Sequence, residues 1–278
     1  VTSIAAARML LGCRAASPAL HVAQEPWTAA EREGVRLTTE HFDLFTTVED
    51  GELRKALPVL AEAAYPQYLR LLPPAPGHEG ARLTTYIFAT RGEWDRFTRA
   101  RFPQSYAVYQ QIRAGGFTED GMAVLFLSAP AATLATLAHE GWHQYVQTRT
   151  SCRPPAWLNE GLACYLESFD FTRLPPRPLP LGNSFRLDDL RSALAESKAF
   201  SLHELLGTDA GEVLLHNHSG ITQTYYAGVW GLVSFLRHGL EGRHAAAFDR
   251  LLADLADGSL PIRVRAATLT RDGEGDED

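Results

Sequence analysis

The chain has 278 residues, 45% of them apolar and 21% charged, an ordinary globular balance that excludes a disordered or fibrous protein. Its net charge of −7 provides no sequence-wide positive field, which argues against nucleic acid or an anionic lipid surface as partner. No stretch approaches roughly 18 uninterrupted apolar residues, so no membrane-spanning helix is expected, and three cysteines cannot build a disulfide framework.

Residues 1–30 read as a leader. Leu10-Leu11-Gly12-Cys13 has the form of a lipoprotein cleavage box, with Cys13 as the lipid anchor. No basic residue precedes Ile4 and Arg8 breaks the apolar run, so as an export signal the segment is poor or truncated. Residues 35–47, rich in Thr, Phe, Leu and Val, read as one strand or a bent pair. Leu53, Leu57, Leu60, Ala61, Ala64 and Tyr68 follow at helical spacing, with Pro58 and Pro66 implying a kink or an early end. A stiff Pro-rich connector covers residues 72–77, a strand residues 82–88 and a short helix residues 93–100. Gly115, Gly116 and Gly121 bracket a turn before a second strand at residues 122–127.

Residues 131–148 read as a helix with a core stripe of Leu134, Leu137, Ala138, Trp142, Tyr145 and Val146. A second helix is expected over residues 156–167. After a stretch with four prolines at residues 174–182 come three helical patterns, at residues 188–197, 222–238 and 243–256. Residues 31–150 thus form a mixed strand-and-helix half, residues 151–260 an all-helical half, and residues 261–278 an acidic tail. Strands and helices do not alternate, which favours an α+β fold over a doubly wound sheet.

His139-Glu140-Gly141-Trp142-His143 carries the chemistry. Histidines four apart on a helix stand one turn from each other, so both imidazoles reach one Zn²⁺ at about 2.0–2.1 Å. Glu140 points to a neighbouring azimuth, too far round to be a ligand and well placed to take a proton from an activated water. A solvated surface helix is the simpler alternative, but this helix is apolar, and an unpaired Glu with two His is costly to bury. Pro154-Pro155 forces a reversal, after which Glu160 can face back towards the histidines.

His139 to His143 followed by Trp157-Leu158-Asn159-Glu160-Gly161-Leu162-Ala163 resembles the gluzincin zinc metallopeptidases of the peptidase MA clan, in particular the zinc aminopeptidases. In length and in the phrasing Leu137-Ala138-His139-Glu140 and Pro155-Ala156-Trp157-Leu158 it is similar to the bacterial peptidase MA-like family, a domain of unknown function. The resemblance implies a zincin-like domain in which a mixed sheet and active-site helix precede a helical subdomain. It implies one Zn²⁺ per chain, held by His139, His143 and Glu160, with Glu140 as general base and a peptide or protein as substrate. Export or a cell-envelope location follows from it too.

The segment around Thr224-Tyr225-Tyr226-Ala227-Gly228 is similar to the late gluzincin helix whose tyrosine stabilises the oxyanion. Its apolar positions place Tyr226 in that role, while its glycine would favour Tyr225. The Gly-x-Met-Glu-Asn segment by which the aminopeptidases hold a free amine has no counterpart here, which favours an endopeptidase. Where thermolysin-like enzymes place a carboxylate that orients a histidine, this chain has Cys164, read as a small buried thiol, with an accessory ligand or redox switch as alternatives. Cys152 has no evident partner, and His216 and His218 read as parts of a polar loop. A zinc-binding scaffold without hydrolytic activity is the competing function.

Overall fold

The computed structural model describes residues 20–29, 32–78, 80–113, 115–151, 153–172, 175–208 and 220–260. The cleavage-box segment with Cys13, Cys152, His216, His218 and the acidic tail lie outside these residues.

A six-stranded mixed sheet runs in the order β1-β2-β3-β4-β6-β5. Its strands are β1 (Ala23–Ala29), β2 (Arg32–Thr38), β3 (Phe42–Thr46), β4 (Leu83–Phe88), β5 (Gly116–Glu119) and β6 (Met122–Phe126). The residues expected as one strand or a bent pair form the β2–β3 hairpin. Strands β3, β4 and β6 are parallel neighbours linked through helices, so strands and helices do alternate here, contrary to expectation. The flanks are antiparallel, and the whole is a mixed α+β fold.

Helix α1 (Gly51–Leu71) runs unbroken for 21 residues with Pro58 and Pro66 inside it, against the expected kink or early end. Each proline removes one backbone hydrogen bond, at a helix-interior cost of about 3 kcal/mol. The offset is its buried stripe of Leu53, Leu57, Leu60, Ala64, Tyr68 and Leu71, since a fully buried large apolar side chain contributes about 1.5–3 kcal/mol. Leu57, Leu60 and Tyr68 pack with Leu83, Ile87 and Leu125 of the sheet and with Leu137, Trp142 and Tyr145 of α4 (Pro130–Arg149). The opposite face carries Phe88, Val124 and Phe126 against Trp94 of α2 (Arg91–Arg101), with Phe117 of β5 and Phe102 completing that cluster.

Residues 115–121 are not a simple turn. Residues 116–119 are strand β5, paired antiparallel with β6 around Asp120-Gly121, both of which have positive φ. That dipeptide is a two-residue hairpin signal, and the glycine-rich approach masked it. A short helix, α3 (Tyr106–Tyr109), precedes β5.

Past α4, helix α5 spans Ala156–Tyr165. The second half is not all-helical. Strands β7 (Phe169–Asp170) and β8 (Arg177–Pro178) pair before α6 (Ser184–Ala195) and α7 (Leu202–Gly207). Helix α8 (Ile221–Gly242) loses helical geometry at Gly239, Leu240 and Glu241, close to the expected end, and α9 (Ala245–Ala256) follows. No helix among the described residues is long and apolar enough to cross a membrane.

Candidate metal centre

Helices α4 and α5 bring the three expected donors together. Trp142 donates from Nε1 to Asn159 Oδ1 at 3.0 Å, which ties the residue beside His143 to the residue beside Glu160. Two close approaches require glycine. A Cβ on Gly141 would lie 2.6 Å from the Tyr68 hydroxyl, and one on Gly161 would lie 2.6 Å from Val233 of α8. The Tyr68 hydroxyl donates to the Ala138 carbonyl at 2.8 Å, fixing α4 against α1 one residue before His139.

His139 Nε2 and His143 Nε2 stand 3.1 Å apart, and each is 3.3 Å from Glu160 Oε2. That carboxylate oxygen is buried and makes no well-aligned hydrogen bond. On the other side of His139, Nδ1 lies 2.9 Å from Glu167 Oε1. A carboxylate only accepts, so Nδ1 carries a proton, and Nε2 is the atom that would give its lone pair to a metal ion. A proton on His143 Nε2 would satisfy one edge of this triangle and leave the others facing each other. A cation satisfies all three. Tetrahedral zinc with bonds of about 2.0–2.1 Å separates its donors by about 3.3–3.4 Å, close to the observed edges. The residues present therefore fit a metal ion.

Burial works against charge on both partners, but the interactions between them prevail. Glu160 is held well below the usual carboxylate range by His143 and His139, and contacts with Cys164, Glu160 and Glu167 raise His139 well above its ordinary value.

Glu167 supplies what the sequence reading left open behind His139. It lies just past the end of α5, where Oε2 accepts from Asn183 Nδ2 and Arg186 Nε, both at 2.9 Å, and Oε1 accepts from Arg186 Nη2 at 2.6 Å. Burial disfavours its charge, yet Arg186 and His139 hold its pKa down to about 2. Asn183 caps α6 through Arg186 N at 3.3 Å and also reaches the Cys164 carbonyl, so the cap of one helix braces the end of another. Cys164 itself is fully buried, grouped with His139 and Glu167 rather than with His143 and Glu160. Burial pushes its thiol up, which keeps it protonated.

Glu140 is buried beside the donors and accepts from Thr118 Oγ1 at 2.8 Å. Thr118 belongs to β5, which α4 grips through Gln147: its amide oxygen takes Gly121 N at 3.1 Å and its amide nitrogen donates to the Thr118 carbonyl at 3.3 Å. The two adjacent tyrosines separate. Tyr225 is fully buried, packs on Phe200 and donates to the Thr208 carbonyl at 3.3 Å. Tyr226 sets its ring edge-on to His139, with centroids 5.9 Å apart, and lines a cleft of about 470 Å³ with His139 and Glu140. Burial, and after it the charge of Glu160, raise its phenol well above the ordinary value, so it remains an O–H donor.

Residues 133–253 match a family described as protein of unknown function (DUF1570). No curated protein and no solved structure matches the chain.

Proposed function

We propose that the protein is a zinc-dependent hydrolase that cleaves peptide bonds, with His139, His143 and Glu160 as the metal ligands and Glu140 as general base. The observation that carries the reading is the triangle of three buried donor atoms with a second acid, Glu140, beside it on the helix that carries the two histidines. Structural zinc sites use four protein ligands, whereas three leave the open position that catalysis needs. A bound zinc would supply Lewis-acid polarisation of the scissile carbonyl and a water acidified to a pKa of about 7.

The chain's own residues do the rest. Glu140, steadied by Thr118, accepts the proton of the attacking water and delivers it to the leaving amine. Tyr226 donates its hydroxyl hydrogen to the carbonyl oxygen as charge builds there, without adding a charge of its own. Gly116 of β5 lines the cleft, and β5 is the last strand of the sheet, so an extended peptide has a strand edge to pair with. The chain has no Gly-x-Met-Glu-Asn segment of the kind that holds a free amine, so trimming from a substrate's N-terminus is not the proposed activity. The test is Glu140→Gln. It should retain one zinc per chain and its fold while hydrolysis of a fluorogenic peptide library falls by at least about 10². Unchanged turnover would remove Glu140 from the role, and a zinc-loaded wild type that cleaves no peptide would favour the scaffold instead.

A further inference from the structure

Arg186 lines the cleft from α6, with its side chain only 18% exposed. Nε and Nη2 form one edge of the guanidinium fork, and that edge is spent on Glu167. The other edge is not. Nη1 has no hydrogen-bond or ion-pair partner among the described residues, and Nη2 has a second hydrogen. The cation is pinned from both sides, because its central carbon also lies 5.2 Å from the Tyr226 ring centroid. A largely desolvated guanidinium with an unused pair of parallel N–H donors matches a carboxylate in shape and charge.

The acids nearby cannot meet that need from within. Glu167 already accepts from His139, Asn183 and Arg186, and Glu140 is held by Thr118 on β5. The wall beside them is small and partly hydroxylated. Ala132 and Thr136 stand two turns and one turn before Glu140 on the same stripe of α4, and Ser128 precedes the helix; all three line the cleft.

We propose that the cleft selects substrates bearing a carboxylate close to the bond to be cleaved, and that the free edge of Arg186 reads it. This rests on the peptidase reading above for the word substrate, but the binding it describes is separable. The carboxylate comes from an acidic side chain or from a free C-terminus, and both present the same two oxygens.

The experiment measures equilibrium binding to Glu140→Gln protein as purified, using two matched peptide pairs. One pair differs as Glu against Gln beside a central peptide bond, and the other as a C-terminal acid against its amide. The acid member of one pair should bind at least about tenfold tighter, the scale of a charge-assisted pair. The pair that shows the ratio identifies the source. Adding Arg186→Lys, which keeps the charge and loses the fork, should bring the ratio to within about twofold, while Arg113→Gln, at the exposed rim, should leave it intact. If the lysine variant does not fold, Arg186→Gln takes its place and should likewise bring the ratio to within about twofold, with Arg113→Gln as the control at the rim. Equal binding within both pairs, no binding, or loss of the ratio in Arg113→Gln overturns the proposal. Acid-selective binding without any hydrolysis by the wild type would leave the proposal standing and remove the peptidase reading instead.

Discussion

Two glutamates flank the imidazole of His139, seven residues apart in the chain, and their surroundings are opposite. Glu167, behind the ring, receives hydrogen bonds from a histidine, an asparagine and the Nε–Nη2 edge of an arginine. Glu160, in front, turns a buried oxygen towards two imidazole nitrogens 3.3 Å away and has no aligned donor. A buried carboxylate is tolerable only when paired, coordinated or neutralised. Glu167 is complete within the protein and acts as a fixed anion that sets the tautomer of His139. Glu160 is complete only with a cation from outside. One imidazole thus carries a permanent partner and an exchangeable one.

The largest effects should come from the front. Glu160→Ala leaves two protein donors where a catalytic zinc keeps three, so elemental analysis after dialysis should find stoichiometric zinc lost. Retention of one zinc per chain in that variant would break the comparison, since the exchangeable partner would then be another group. Tyr226→Phe, which removes a hydroxyl on the cleft side of His139, should lower turnover by about 10²–10³ with zinc content unchanged. Tyr225→Phe should have little effect on turnover, because that hydroxyl is spent on the Thr208 carbonyl. The reverse pattern would move the oxyanion donor to Tyr225. The smallest effect should come from behind: Glu167→Gln keeps the shape and loses the charge, and zinc affinity should fall by about 10–100-fold rather than vanish. A competitive chelator titration checks it, and an unchanged affinity would show that Glu167 serves α5 and α6 rather than the metal.

The same contrast marks what could be read from the chain alone. The front is written in local spacing. His139 and His143 are one turn apart on a strongly periodic helix, and the prolines before α5 turn Glu160 back towards them. The rear is not local. Glu167 takes its position because α5 ends at Tyr165 and lets the chain turn, and its partners Asn183 and Arg186 arrive from α6 on the far side of a small hairpin. No spacing rule connects those three. Thr118 was hidden for a different reason: glycines on both sides made a strand look like a turn, although Asp120-Gly121 is a hairpin signal in its own right. The prolines of α1 misled in the other direction, because a long buried stripe outweighs two missing backbone hydrogen bonds.

Two clusters share His139, one with His143 and Glu160 and one with Cys164 and Glu167, and a metal ion can occupy only one of them as its primary site. Zinc K-edge absorption on the loaded protein separates them. The expected spectrum shows a first shell of nitrogen and oxygen alone at about 2.0–2.1 Å, with the outer-shell pattern of two imidazoles. A sulfur scatterer near about 2.3 Å would place the ion against Cys164 behind the ring and contradict the assignment of Glu160 as the exchangeable partner's ligand.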